Sequence, residues 1–170
     1  RSLLPRRLGF SERIGLVNDA AVCANIEHLF GDKTFADTCM PLHIAATDLH
    51  SGARVALSSG SIADAVRASI AMPLLLRPWP VEGRLLIDGG VSDPLPISLA
   101  IREGAEIILA MGFTHAPVGR IDSLLGIANQ AMSVTIDNLL HSTYAFYSAV
   151  HHAEIIPIMP AFDRPIELGD

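Results

Sequence analysis

Hydrophobic positions along the chain fall into two kinds of pattern. Largely apolar runs of strand length occupy five ranges: 42–47, 53–57, 84–88, 106–111 and 154–159. Elsewhere apolar residues recur at three- and four-residue steps, most regularly from Ile121 to Leu140. Continuous apolar strands that alternate with helices are typical of a sheet covered on both sides. The pattern therefore predicts an α/β fold with a mainly parallel sheet and helices on both of its faces.

Capping residues and helix breakers predict where the helices lie. The predicted helices occupy four ranges: 19–30, 61–72, 94–103 and 121–150. Gly31 is a natural stop for the first helix. Ser61 with Asp64 three residues later is a variant of the capping box, and Pro73 ends that helix because proline cannot continue its hydrogen-bond ladder. The proline-rich stretch that follows, up to residue 83, is predicted to be a loop.

The α/β pattern begins only after about residue 40, which divides the chain into two parts. Residues 1–40 are predicted to be an irregular N-terminal segment plus one helix, and that helix either covers a site or packs as an ordinary helix. Residues 41–170 carry the α/β pattern. The sequence does not begin with Met, so we expect the natural start to lie elsewhere.

Composition narrows the function classes. The 170 residues are 50% hydrophobic, and the net charge of −6 argues against nucleic-acid binding, which needs a basic surface. No run reaches the ~18 apolar residues of a membrane span and no signal-peptide layout is visible, so we expect a cytoplasmic or peripheral-membrane protein. Cys23 and Cys39 lack metal-binding or redox spacing and are expected to be free thiols.

Asp88 stands out because a charged residue ends an apolar strand. In open α/β sheets, ligands bind beyond the carboxyl ends of strands. Gly89 and Gly90 leave space beside the carboxylate, and both are expected to line a site. Asp88 is therefore either a base or an orienting group in a pocket, or a turn residue that binds nearby amides. Amides of the next helix would lower its pKa, and apolar walls would raise it.

Other polar residues are less suggestive of chemistry. Asp48 and His50 are predicted to belong to a turn, because Asp readily binds neighbouring amides. His151 and His152 are adjacent, so in a helix they point in different directions and no metal site is expected. No G-x-G-x-x-G or P-loop signature follows a strand, so no nucleotide and no other cofactor is predicted.

Several motifs in succession carry a family resemblance. They are "FADTCMPLHIAATDLHSG" (35–52), "LSSGSIADAVRASIAMP" (57–73), "GRLLIDGGVSDPLPISLAIREGAEIILAM" (83–111) and, more weakly, "AEIIPIMPAFD" (153–163). In this order they resemble the patatin-like phospholipases. The resemblance implies a three-layer α/β/α fold and the hydrolysis of lipid acyl esters by a Ser–Asp dyad. It also implies that Asp88, in "DGG", is the dyad aspartate.

The resemblance also shows what this sequence lacks. The family's G-x-S-x-G nucleophile elbow and glycine-rich oxyanion loop are absent, and both precede "ATDL" in the family. In "GVSDP" (90–94), Pro94 replaces the final glycine, and Ser92 directly follows the aspartate turn, so Ser92 is not expected to be the nucleophile. The chain is thus expected to be the C-terminal portion of the domain, incomplete and inactive alone. A missing N-terminal segment or a second chain is expected to supply the serine.

The resulting hypothesis is a serine carboxylic-ester hydrolase that acts on a lipid or acyl-ester substrate and makes transient contact with a membrane surface. Trp79, next to the apolar residues 74–76, either lines an acyl-chain channel or packs in the core. The alternative function is a non-catalytic lipid-binding or scaffolding module that keeps the fold. That alternative predicts an upstream segment without a G-x-S-x-G serine.

Overall fold

The computed structural model describes residues 19–113 and 121–160. The helices and strands in these ranges are α1 (Asp19–Phe30), β1 (Ile44–Asp48), β2 (Arg54–Leu57), α2 (Ile62–Ser69), β3 (Trp79–Val81), β4 (Arg84–Asp88), α3 (Ile97–Arg102), β5 (Ile107–Met111), α4 (Leu124–Val150) and β6 (Glu154–Ile158). Strands and helices therefore mix along the chain, as the α/β pattern predicts.

The strands form two sheets. In the larger sheet the order is β2-β1-β4-β3, and each neighbouring pair is antiparallel. Within it, Ala46 lies opposite Asp88, and Trp79 lies opposite Leu86. Strands β5 and β6 form a separate parallel pair. The prediction of a mainly parallel sheet is therefore not confirmed for the described residues, where the sheet structure is mixed.

Short connections explain two of the three antiparallel pairings, β1 with β2 and β3 with β4. Glu82 and Gly83 join β3 to β4, and both have positive φ, at 49° and 75°, as in the tight turns of β-hairpins. Residues 49–53 join β1 to β2, and the Asp48 carboxylate accepts hydrogen bonds from the amides of His50 and Ser51 in this turn. A parallel connection needs a dozen or more residues. Continuous apolar runs therefore do not by themselves reveal strand direction.

Helix boundaries follow the capping residues closely. The Ser61 hydroxyl accepts a hydrogen bond from the Asp64 amide at 3.1 Å, which confirms the predicted cap of α2. Helix α3 begins at Ile97, later than the predicted start at residue 94, and a 3₁₀ turn occupies Gly89–Val91. The predicted loop before residue 83 contains β3, whose two-residue turn to β4 brings it alongside that strand.

Two hydrophobic clusters hold these elements together. The first lies between α2 and the larger sheet and includes Ala46, Leu57, Ala68 and Leu86. The second joins the residues around α3 to β5 and α4: Leu95, Ile97, Ile108, Ala110 and Leu140. β4 contributes Leu86 to the first cluster, and the segment after β4 contributes Leu95 to the second. The connection between them begins with Asp88, which therefore sits between the two clusters along the chain.

Helix α1 is anchored through its first residue. The Asp19 carboxylate bridges the guanidinium groups of Arg67 and Arg77, and Arg67 is buried. Ile26 is buried as well. The helix thus has packed contacts, and its role as a cover over a site stays a prediction. The predicted irregular segment that precedes it lies outside the described residues.

Candidate active site

The backbone of Asp88 is fixed on both sides. Its amide donates to the Ala71 carbonyl at 3.1 Å, just beyond the end of α2. Its carbonyl accepts a hydrogen bond from the Thr47 hydroxyl at 2.8 Å, from the neighbouring strand β1. Two different elements therefore determine where the end of β4 lies and how the Asp88 side chain leaves it.

One oxygen of the Asp88 carboxylate is engaged in the turn. Oδ1 accepts a hydrogen bond from the Gly90 amide at 2.7 Å. Within residues 19–113 and 121–160, this amide is the only hydrogen-bond donor to the carboxylate. The predicted turn role and the predicted catalytic role are thus compatible, because Oδ2 accepts no hydrogen bond from the described residues. A carboxylate held through one oxygen can accept a proton on the other.

Burial controls the protonation of this group. The partly buried position raises the pKa of Asp88 above its ordinary value, and the hydrogen bond from Gly90 opposes that rise. The sequence left the balance between these two effects open, and burial is the larger. A carboxylate with a raised pKa is a stronger base once it is ionised.

The two glycines after Asp88 serve different steric needs. A Cβ atom on Gly89 would lie 2.5 Å from the Ala45 carbonyl oxygen, so only glycine fits between the turn and β1. A Cβ atom on Gly90 would lie 3.0 Å from Asp88 Oδ1 and 4.0 Å from Ile136 of α4. Gly89 therefore permits the close approach of two backbones, and Gly90 keeps the space beside the carboxylate open.

A cleft of about 330 Å³ borders this turn. Its walls come from the start of β1, the end of α2 and the segment after β4, and include His43, Ser69, Gly89, Gly90 and Pro94. Its size is at the lower end of the range for small-molecule pockets. Gly89 and Gly90 thus line a cavity at the carboxyl end of β4, and their part in a substrate site stays a prediction.

A second carboxylate, that of Asp93 just before the predicted start of the 94–103 helix, lies beside the same cleft. Asp93 is only 7% exposed and pairs with Arg54, whose Nη1 atom is 3.2 Å away. Burial raises the pKa of Asp93, and the guanidinium of Arg54 opposes that rise. Asp93 also lines a larger cleft of about 460 Å³ with Arg102 and Tyr147. Because no motif joins Asp93 to Arg54, their pairing was not readable from the sequence.

Trp79 lies on the side of the sheet that faces α2. Its indole Nε1 donates to Asp64 Oδ1 at 2.9 Å, and its ring stacks over the Arg67 guanidinium at 4.8 Å. It also packs against the first hydrophobic cluster. These contacts account for the residue as part of the core, and its role in lining an acyl-chain channel stays a prediction.

The other residues considered in the sequence lie outside the cleft beside Asp88. Asp48 closes the turn after β1, as predicted, and His50 is exposed in that turn. His151 and His152 follow α4 and are also exposed. Cys23 and Cys39 are free thiols. In the part of the chain that the structure describes, no group of His, Cys, Asp or Glu side chains could hold a metal ion.

Comparison with known proteins shows which family the chain belongs to. The sequence matches the family described as "Patatin-like phospholipase" over residues 3–101. This chain belongs to the patatin-like phospholipase family. The match includes Asp88 and both glycines after it, so the motif resemblance is confirmed.

Curated relatives share this part of the sequence. An "uncharacterized NTE family protein" of Mycobacterium tuberculosis is 31% identical over 105 residues, 62% of this chain. The "patatin-like phospholipase domain-containing protein 7" of mouse is 31% identical over 90 residues, and "protein 6" of human is 34% identical over 89 residues. The matched regions cover 29%, 7% and 6% of these relatives, respectively.

Among residues 19–113 and 121–160, no helix has both the length and the apolar character that crossing a bilayer requires.

Proposed function

We propose that the intact protein is a lipid acyl hydrolase with a Ser–Asp dyad, in which Asp88 is the base and the serine lies outside this sequence. The observation that carries the proposal is the position and burial of the Asp88 carboxylate. Asp88 ends β4, its carboxylate is held by the described residues through Oδ1 alone, and burial raises its pKa. Asp88 also lies within the residues that match the patatin-like phospholipase family.

The proposed chemistry needs one base and no imidazole. Asp88 accepts the proton of the serine hydroxyl as the serine oxygen attacks the ester carbonyl carbon. Protonated Asp88 then donates this proton to the leaving alcohol as the bond between the carbonyl carbon and the alcohol oxygen breaks, and an acyl-serine remains. Water then attacks the acyl carbon and gives a proton to Asp88, which passes it to the serine oxygen as the bond between the serine and the acyl group breaks, so that the fatty acid leaves and the serine is restored. Oxyanion donors come from a glycine-rich loop that this sequence does not contain.

The partner that supplies the serine is proposed to dock on β5. The residues of β5 are all apolar, which is the pattern of a strand buried on both faces. Ile108 and Ala110 are buried, whereas Ile107, Leu109 and Met111 are 63%, 65% and 56% exposed. An upstream segment or a second chain that carries G-x-S-x-G would cover this open face. It would also complete the three-layer α/β/α domain with parallel strands.

The substrate is proposed to be a lipid or another acyl ester, reached through transient contact with a membrane surface. A cytoplasmic or peripheral-membrane location fits this use. The cleft beside Gly89 and Gly90 is the proposed entrance for the acyl group. No cofactor or metal takes part in the proposed reaction.

The proposed function is tested on the intact protein with a fluorophosphonate probe and with p-nitrophenyl butyrate. We expect covalent labelling of one serine in a G-x-S-x-G motif, together with ester hydrolysis that labelling abolishes. The present chain alone is the control and is expected to neither label nor hydrolyse. An intact protein that binds lipid vesicles but shows no labelling and no turnover would support the non-catalytic alternative.

The pH dependence of the reaction follows from the raised pKa of Asp88. The base must be ionised, so kcat/KM is expected to fall as the pH drops through the pKa of Asp88 in the free enzyme. This midpoint is expected above the ordinary Asp value of about 3.9. A profile of kcat/KM from mildly acidic to neutral pH measures it. A midpoint at or below the ordinary value would contradict the role of burial.

A further inference from the structure

Thr47 is a buried polar residue near the end of β1. It is only 2% exposed, so its hydroxyl must find partners inside the protein. Its Oγ1 atom lies 2.8 Å from the carbonyl oxygen of Asp88 and 2.7 Å from the Ser92 hydroxyl oxygen. One side chain on β1 therefore contacts both ends of the turn that carries the candidate base.

The direction of these hydrogen bonds follows from the number of protons. A carbonyl oxygen can only accept, so the single hydroxyl proton of Thr47 goes to Asp88. The Ser92 hydroxyl must then donate to Thr47. The result is a directed chain from Ser92 through Thr47 to the backbone of Asp88. The threonine γ-methyl group limits χ1, which helps to hold this arrangement.

The same chain of hydrogen bonds affects how the carboxylate is aimed. The Asp88 carbonyl belongs to the peptide group that leads into Gly89, and the next amide, that of Gly90, binds Oδ1. Rotation of that peptide group would move the Gly90 amide away from the carboxylate. The turn is closed further by hydrogen bonds from the Ser92 and Asp93 amides to the Gly89 carbonyl. The Thr47 hydroxyl fixes the turn from outside.

We propose that Thr47, supported by Ser92, is a positioning residue. It holds the turn of residues 88–93, the Asp88 turn, in the geometry needed for proton transfer. This inference rests on the proposed function and adds a residue to its machinery. Thr47 touches neither the substrate nor the reacting oxygen, so it acts only through Asp88. Its loss is therefore expected to change turnover and leave substrate binding nearly unchanged.

The test compares Thr47→Val with Thr47→Ser in the intact protein, with p-nitrophenyl butyrate as substrate. Thr47→Val keeps the shape and removes the hydroxyl, so kcat is expected to fall about 10- to 100-fold with KM within about twofold of wild type. Thr47→Ser keeps the hydrogen bonds and is expected to retain kcat within about threefold. Assays are run well below the melting temperature of each variant.

Loss of folding is the competing explanation for Thr47→Val, since it leaves a buried carbonyl unpaired. A milder set avoids that defect: Thr47→Ser, Ser92→Ala and the double variant. In each single variant, a hydroxyl at position 47 still donates to the Asp88 carbonyl and keeps one restraint, either the γ-methyl group or Ser92. In the double variant this hydroxyl has neither restraint and is free to rotate. The double variant is expected to lose about 5- to 10-fold in kcat, more than the product of the two single effects.

Two results would overturn the inference while the proposed function stands. One is wild-type kcat in folded Thr47→Val or in the double variant. The other is a loss in Thr47→Val that Thr47→Ser does not restore. Asp88→Asn is measured in parallel to separate the two proposals. Wild-type turnover in Asp88→Asn would end the proposed function, and the positioning role of Thr47 with it.

Discussion

The Asp88→Asn variant of the intact protein is expected to lose about 10²- to 10⁴-fold in kcat for ester hydrolysis, the usual size of a general-base contribution. Asparagine has nearly the same shape, and its Oδ1 atom can still accept the hydrogen bond from the Gly90 amide at the observed 2.7 Å. The amide group cannot accept the serine proton, however. Initial rates with p-nitrophenyl butyrate at saturating concentration measure the effect.

The same variant is expected to be at least as stable as the wild type. Burial raises the pKa of Asp88 in the folded state, so the ionised carboxylate favours the unfolded state. This penalty is absent below the unfolded pKa, grows as the pH rises through the folded pKa, and is fully present above it. A neutral side chain removes the penalty. The melting temperature of Asp88→Asn at neutral pH is therefore expected to equal or exceed that of wild type.

Asp48→Asn is the matched control, because it makes the same Asp-to-Asn change at a carboxylate outside the candidate site. Asp48 lies at the end of β1, where its carboxylate binds the His50 and Ser51 amides and not the Asp88 turn. Its replacement is expected to leave kcat unchanged. A loss of kcat in Asp88→Asn that comes with a large fall in melting temperature would point to a structural role. Unchanged kcat would remove Asp88 from the dyad.

Local sequence features predicted the part of the site that lies in one stretch of chain. Strand β4 has the predicted bounds, and Asp88 ends it next to two glycines with separate steric functions. The reason is that an apolar run, a charged end and glycines act on neighbouring residues. The cap of α2 at Ser61 was predictable for the same reason, because its partner Asp64 is three residues away.

Features that depend on distant residues were not predictable in this way. Two of the three antiparallel pairings in the larger sheet depend on short turns, and the signal for one of these turns, Glu82-Gly83, lay inside a segment interpreted as loop. Thr47 and Ser92 are far apart in sequence, so no spacing rule joins them. The pKa of Asp88 depends on how deeply the folded chain buries it. Pairing and burial arise only when the chain has folded.

Gly89→Ala is expected to destabilise the protein by about 3 kcal/mol, at the upper end of the usual cost of overpacking. The added Cβ would lie 2.5 Å from the carbonyl oxygen of Ala45 and 2.8 Å from its carbonyl carbon. Both atoms are backbone, and they belong to β1, which pairs with β2 on one side and β4 on the other. Removing this clash would require β1 to shift within its sheet. Urea unfolding of the intact protein measures the free energy of unfolding.

Gly90→Ala is the matched control, one residue along the same turn. Its added Cβ would meet Asp88 Oδ1 at 3.0 Å and Ile136 at 4.0 Å, and both neighbours are side-chain atoms. A side chain can move where a paired strand cannot, so a stability loss of about 1 kcal/mol or less is expected. Activity should still fall, because the displaced atom belongs to the proposed base. Equal stability losses in the two variants would show that β1 yields as easily as a side chain, and the backbone contact at Gly89 would not hold the Asp88 turn in place.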